Sequence, residues 1–359
     1  MNEKKKTNVK FRAVILAGGS GERFWPLSTP EKPKQFLRVF GGESLIRQSV
    51  RRLRSLAAPE DVFVVTSKAL VAATRRELPE LPRENVVGEP MRRDTGAAVA
   101  LGVSVAGGSD ATVVGFFPAD QMVTDERAFA RSVRAAVAKA RRSPSVVTLG
   151  IAPEYPATGF GYVDPKTGRF VEKPDKRKAK QYLKKGYLWN AGMFIARAGT
   201  FRAAFAAYAP ALAPLAAPVA SVPGPQALEH LYEPLPRISF DFAVMEKLPR
   251  VEVVAADCGW DDVGSYGAFD RYFPHDSRGN VREGPCTVVE ADGNICIARS
   301  ARISLLGVKD LVVVTTPDAV LVADKSRLGD IKKLFGSERP VAESENMGIV
   351  SGDRPRRRM

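Results

Sequence analysis

The stretch Ala13-Val-Ile-Leu-Ala-Gly-Gly-Ser-Gly-Glu-Arg-Phe-Trp-Pro-Leu-Ser-Thr-Pro-Glu-Lys-Pro-Lys-Gln-Phe-Leu37 changes character within a few residues. Ala13 to Ala17 is a continuous apolar run and reads as a buried strand; Gly18, Gly19 and Gly21 follow, where the backbone must pass close to something. Successive N–H groups of such a turn form a concave anion site, and Arg23, Lys32 and Lys34 add fixed positive charge just beyond it. These residues support a phosphate-handling loop. Neither standard glycine motif fits: there is no Gly-Lys-Ser/Thr for a P-loop, and Phe24 stands where a dinucleotide fingerprint needs its third glycine. Alone, the cluster also matches a plain strand-to-helix turn with surface cations, so the remaining chain must choose between the two.

Downstream, the pattern alternates. Glu43 to Leu56 has apolar residues at helical spacing, and Asp61 to Ser67 is a second buried strand. Residues 92 to 106 form an alanine-rich helix, Thr112 to Phe117 a strand ending in Pro118-Ala-Asp120, and Thr124 the cap of a helix whose Phe129, Val133 and Val137 share a face. Ser145 to Ile151 is a fourth strand. This alternation predicts an α/β fold with a Rossmann-like, mainly parallel sheet and helices on both faces. Ligands of such sheets gather at the carboxyl ends of the strands, where both the glycine loop and Asp120 fall.

Beyond residue 158 the pattern turns to hairpins. Gly159 to Val163 and Arg169 to Glu172 flank a turn, a basic helix lies between Lys173 and Lys185, and Trp189 to Ile195 is another strand. Residues 209 to 225, rich in Ala and Pro, read as a surface connection. Short β-rich runs between Asn280 and Val322 predict a small C-terminal β domain, closed by a helix over Arg327 to Phe335. The expected organisation is a disordered arm (1–10), a catalytic domain (11–275), a small β domain (276–336) and a disordered tail (337–359).

Composition narrows the chemistry. The net charge of +14 lies mostly within residues 11–336 and favours polyanionic partners. Basic residues are not interleaved with aromatics as a single-strand nucleic-acid binder would need, so phosphorylated small molecules are the better partner and nucleic acid is not expected. With only two histidines, chemistry built on histidine bases or histidine metal ligands is disfavoured. Cys258, Cys286 and Cys296 lack zinc-ligand spacing and suit a reduced compartment. No apolar run approaches a membrane span and no signal-peptide core follows the basic start, so a cytoplasmic location without membrane attachment is expected.

Asp120, and Asp262 in Gly259-Trp-Asp-Asp-Val-Gly264, are loop carboxylates of the kind that hold Mg2+ together with substrate phosphate. Taken singly, each is equally a turn residue or a cap. Lys173, in Val171-Glu-Lys-Pro174, is a candidate phosphate ligand or a solvated surface lysine.

Seven blocks in order then carry a resemblance. They are Leu16 to Ser28 with Pro33 to Leu37, Pro118-Ala-Asp120, Thr158 to Val163, Val171 to Pro174, Trp189 to Phe194, Ser239 to Lys247, and Gly259 to Ser265. Together the chain resembles the sugar-1-phosphate nucleotidyltransferases, which have the nucleotide-diphospho-sugar transferase type of fold, and among them the guanylyltransferase branch that acts on mannose 1-phosphate.

The resemblance implies that mannose 1-phosphate attacks the α-phosphate of GTP to give GDP-mannose and pyrophosphate. It assigns Leu16, Ala17, Gly18, Gly19, Ser20 and Gly21 to the nucleotide, and Arg23 and Lys34 to the leaving phosphates. Asp120 and Asp262 would hold Mg2+, Gly159, Glu172 and Asn190 would meet the sugar, and Lys173 its phosphate. The catalytic set it implies is Arg23, Lys34, Asp120 and Asp262, in a homodimer. This chain departs from the family pattern at Gln121, where histidine is common, at Arg93-Asp-Thr-Gly96 in place of Arg-Asn-Thr-Ala, at Ala191 in place of serine, and at the additional Asp261. Alternatives that the sequence leaves open are another base or sugar and a non-catalytic nucleotide-sugar sensor.

Overall fold

The computed structural model describes residues 10–219 and 224–334. The expected tail at 337–359, and the expected arm apart from Lys10, lie outside the described residues. The first part of the chain supplies strands β1 (Phe11–Ala17), β2 (Val62–Ser67), β3 (Val86–Glu89), β4 (Val113–Pro118), β5 (Met122–Val123), β6 (Val147–Ile151), β7 (Tyr162–Val163), β8 (Phe170–Val171), β9 (Leu188–Arg197), β10 (Glu252–Ala255) and β11 (Trp260–Asp261). Its principal helices are α1 (Leu45–Leu53), α2 (Val71–Glu77), α3 (Asp94–Gly107), α4 (Glu126–Arg142), α5 (Lys176–Lys184), α6 (Ala198–Tyr208) and α7 (Pro225–Tyr232).

The central sheet runs β10-β6-β9-β4-β1-β2-β3, with the β7–β8 hairpin attached to β9. The run Ala13 to Ala17 lies at its middle, paired in parallel with β2 and β4. Alternate residues of β1 serve opposite faces, which is why the strand is apolar throughout. Val14 packs with α3 and α6, whereas Ala13, Ile15 and Ala17 pack with α1 and α4. Leu16 and Pro118 are paired across β1 and β4, and the Ala119 N–H donates to the Leu16 carbonyl at 3.0 Å. The glycine loop and Asp120 therefore leave the sheet side by side.

The sheet is mainly parallel, as expected, and three other expectations are corrected. Its exception to parallel order is β9, which runs antiparallel between β4 and β6. It starts opposite Ile151 and Gly150, at the carboxyl end of β6, so Asn190 enters the sheet at the ligand end. The cap of α4 is Asp125, whose carboxylate accepts from the Ala128 N–H at 2.8 Å. Thr124 is committed elsewhere, its N–H bound to the Gly259 carbonyl at 3.2 Å. Pro210–Ala216 is a 3-10 helix rather than a surface connection, and it buries Leu212 and Leu215 in the core shared with α3. The closing segment is likewise a 3-10 helix, Lys325–Lys333.

The C-terminal β elements are β12 (Val281–Glu283), β13 (Cys286–Val289), β14 (Ile295–Ala298), β15 (Ile303–Leu306), β16 (Leu311–Thr315) and β17 (Val320–Asp324). β12, β14 and β16 stack in parallel, as do β13 and β15, so successive coils wind like a short β-helix; β17 closes it antiparallel to β16. Within the coil, the buried Asn294 side chain donates to Asn280 Oδ1 at 2.9 Å and to the Val308 carbonyl at 3.2 Å. The core of this unit is continuous with the segment after the glycine loop: Phe24, Leu37, Phe40 and Leu45 pack with Val281, Ile295, Val312 and Leu321. The β unit thus backs the loop directly.

Candidate active site

Strand β1 ends at a glycine loop whose conformation only glycine allows at one position. Gly21 has φ +68°, and a Cβ there would stand 2.4 Å from Lys34 Cβ. That close approach brings Lys34, 6% exposed, beneath the loop. Its Nζ donates to Asp120 Oδ2 at 2.9 Å and to the Asp262 carbonyl at 2.8 Å. One lysine thus ties the ends of two distant segments to the loop. The strand end is itself fixed, since the Ala17 carbonyl accepts from Gln35 Nε2 at 2.8 Å and Thr66 Oγ1 at 3.0 Å.

Two cavities flank the loop. One, of about 370 Å3, is lined by Arg23, Lys34, Asp120 and Asp262. Arg23 is exposed and donates to the Gly264 carbonyl at 3.3 Å. Burial pushes the Asp262 carboxyl above its ordinary value; Lys34 opposes that shift and Asp120 adds to it. Among the described residues, no group of three or more His, Cys, Asp and Glu side chains converges as a metal site. Two carboxylates beside an open cavity suit a hard divalent cation that takes its other oxygens from substrate and water.

Asp261 does not belong to this set. Arg271 grips it with Nε at 2.6 Å and Nη2 at 2.9 Å, Tyr272 donates its hydroxyl at 3.1 Å, and the carboxylate accepts the Val263 N–H at 2.7 Å. Val263 is a β-branched residue at φ +48°, a strained conformation that this contact helps to hold. Asp261 therefore fixes the turn that carries Asp262. Gln121 is structural in a similar way: its Nε2 donates to the Ala191 carbonyl, its Oε1 accepts from Trp260, and both contacts are 2.9 Å.

The second cavity, of about 400 Å3, is lined by Leu16 to Ser20 on one side and by Glu89, Thr95 and Asp241 on others. Glu89 ends β3 and is 8% exposed. Burial pushes its carboxyl up to about 7, opposed by the Tyr232 hydroxyl, which donates to Oε1 at 3.1 Å. A Cβ on Gly18 would stand 3.4 Å from Glu89 Oε2, so this oxygen faces the loop. Glu89 was not among the expected site residues. Its signal was an acid ending a short apolar run, Val86-Val-Gly-Glu89, that went unread as a strand.

A third group sits where β8 and β9 meet. Glu172, its side chain 6% exposed, pairs with Lys173 Nζ at 2.9 Å. Asn190 Oδ1 accepts from Thr148 Oγ1 at 2.8 Å and the Gly192 N–H at 3.1 Å, while its Nδ2 donates to Asp241 Oδ1 at 3.0 Å. Burial, reinforced by Glu172, pushes the Asp241 carboxyl up to about 7. Asp241, a second residue the sequence reading did not single out, thus links this group to the Glu89 cavity. Gly159 is exposed and lines neither cavity. The glycine this cluster requires is Gly161, where a Cβ would stand 2.5 Å from Glu172 Oε2.

Comparison with known proteins places these features in a family. The nucleotidyl transferase model matches residues 12–278, and the MannoseP isomerase/GMP-like beta-helix domain model matches residues 284–337. The chain is 35% identical over 350 residues to a mannose-1-phosphate guanylyltransferase of Escherichia coli (strain K12), covering 90% of this chain and 73% of the relative. It is 32% identical to the alginate biosynthesis protein AlgA of Pseudomonas aeruginosa, over 95% of this chain and 75% of that protein. A crystal structure described as mannose-1-phosphate geranyltransferase from Thermus thermophilus superposes with a TM-score of 0.80 at 35% identity, covering 90% of this chain and 98% of the other. The chain belongs to the nucleotidyl transferase family and is an enzyme of that class, its curated relatives being mannose-1-phosphate guanylyltransferases.

Proposed function

We propose that this enzyme transfers GMP from GTP to mannose 1-phosphate, releasing pyrophosphate. The observation that carries the reading is Lys34, held between Asp120 and the Asp262 carbonyl beneath the glycine loop, with a cavity on either side of that loop. A nucleoside triphosphate spanning the loop puts its base near Glu89 and its β- and γ-phosphates near Arg23 and Lys34. Guanine presents two adjacent donors, N1–H and the 2-amino group, and a carboxylate such as Glu89 accepts both; uracil, thymine and adenine do not offer that pair.

Mannose 1-phosphate binds with its hydroxyls toward Glu172, Asn190 and Asp241, and Lys173 holds its phosphate. Its phosphate oxygen forms the new bond to the α-phosphorus, the α–β bridging bond breaks, and the electron pair leaves on pyrophosphate. The nucleophile is already an anion, so the chain needs no general base. Arg23 and Lys34 hold the leaving phosphates and stabilise the charge that develops there. Asp120 and Asp262 would hold Mg2+, which when bound supplies further positive charge against the phosphate oxygens.

The test is pyrophosphate release by the purified protein with Mg2+, mannose 1-phosphate and each of GTP, UTP, dTTP and ATP. GTP should be used fastest; faster turnover with another nucleotide overturns the base assignment.

A further inference from the structure

The cavity that holds Arg23, Lys34, Asp120 and Asp262 has one more cation in its wall, Lys332. It comes from the 3-10 segment Lys325–Lys333, which follows the last β strand. From this geometry we infer that Lys332 is a third phosphate-binding cation, supplied by the β unit to the leaving pyrophosphate. The inference rests on the nucleotidyl-transfer reading above.

Two observations point the same way. In a 3-10 helix residues three apart share a face. Leu328 and Ile331 are so placed, and both pack into the core with Phe24, Tyr266 and Phe269; Ile331 is 3% exposed. That anchoring sets the backbone of Lys332, itself an exposed residue, beside the glycine loop, where it lines the cavity. Other basic residues of the segment are engaged: Lys325 pairs with Asp270, and Arg327 and Lys333 with Asp330, each at 2.7 Å. Lys332 has no ion-pair partner among the described residues.

Charge balance gives the lysine a purpose. Arg23 and Lys34 are offset by Asp120 and Asp262, and Glu22 lines the same wall. Without Lys332 the wall's three carboxylates outnumber its two cations; with it the formal charges balance. Lys332 thus offsets the surplus carboxylate in a wall proposed to meet the leaving phosphates. The β unit then contributes directly to the site as well as supporting the loop.

The test uses the full chain with Lys332→Gln and Lys332→Arg, and Lys333→Gln as a control on the same segment. Titration calorimetry with inorganic pyrophosphate and Mg2+ should show roughly tenfold weaker binding in Lys332→Gln, the size expected for one charge-assisted contact. The KM for GTP should rise in parallel while the KM for mannose 1-phosphate stays put. Lys332→Arg should recover most of the loss, and Lys333→Gln should behave as wild type. Pyrophosphate binding unchanged in Lys332→Gln, or KM values raised equally for both substrates, overturns the assignment while leaving the reaction in place. A wild-type protein that neither binds pyrophosphate nor releases it from GTP overturns the reaction itself and this role with it.

Discussion

Lys34 Nζ lies 2.9 Å from Asp120 Oδ2, although the two residues belong to segments 86 positions apart. The lysine is almost fully buried and also holds the Asp262 carbonyl, so it organises the site before any phosphate arrives. Removing it frees Asp120 and the Asp262 carbonyl from their shared partner and, on the proposed assignment, withdraws charge from the leaving group. Lys34→Ala should lower kcat by roughly two to three orders of magnitude, as loss of a preorganised transition-state contact does, with little change in KM for mannose 1-phosphate. Steady-state kinetics with each substrate varied separately checks this; unchanged kcat with lost sugar-phosphate affinity contradicts it.

Asp120 and Asp262 carry the metal assignment. Asp120→Asn and Asp262→Asn keep size and hydrogen bonding but remove charge, so each should raise the Mg2+ concentration needed for half-maximal turnover. Direct titration of Mn2+ as a probe, followed by electron paramagnetic resonance, reads the same loss without turnover. Wild-type Mn2+ affinity in both variants contradicts the assignment.

Glu89 gives a pH dependence with a definite sign. Its folded-state carboxyl is raised from 4.5 to about 7, so between those values the folded protein binds the proton more tightly than the unfolded chain. This contribution to stability is fully present below pH 4.5 and is lost as pH rises through about 7. Its scale is about 3 kcal/mol at most. Denaturant melts at pH 5 and pH 8 should show a smaller difference in Glu89→Gln than in wild type. On the proposed guanine contact the dependence runs the opposite way: the ionised carboxylate would be the acceptor, so KM for GTP should rise as pH falls through about 7, and Glu89→Gln should flatten that profile.

Asp261 acts at one remove. Its contact with the Val263 N–H, backed by Arg271, holds the turn that presents Asp262. Asp261→Ala should cut kcat by roughly tenfold, and Asp261→Asn, which keeps an acceptor at that position, should recover much of it. Equal losses in both variants would place the effect in the charge rather than in the turn.

Part of the site was legible in the sequence because its residues sit at the carboxyl end of a strand or in a glycine turn, where residue type alone restricts the backbone. The glycine loop, Asp120 and Asp262 are of this kind. Glu89 was hidden because β3 is a four-residue edge strand with too little pattern to announce itself. Asp241 meets Asn190 across 51 residues, a proximity that only the antiparallel entry of β9 creates, and alternation of strands and helices does not encode strand direction. Leu212 and Leu215 were masked by surrounding Ala and Pro, whose turn character outweighed two buried anchors. Lys332 carries no sequence signal of its own, and the packing of Ile331 with Phe24 sets its place.

The most direct measurement is initial-rate pyrophosphate release with mannose 1-phosphate held saturating and the four nucleoside triphosphates compared at equal concentration, in wild type and in Glu89→Gln. The account predicts that GTP is preferred by wild type and that the preference shrinks in Glu89→Gln, with GDP-mannose as the product. No pyrophosphate release with GTP, or a wild-type preference for UTP, dTTP or ATP, would contradict it.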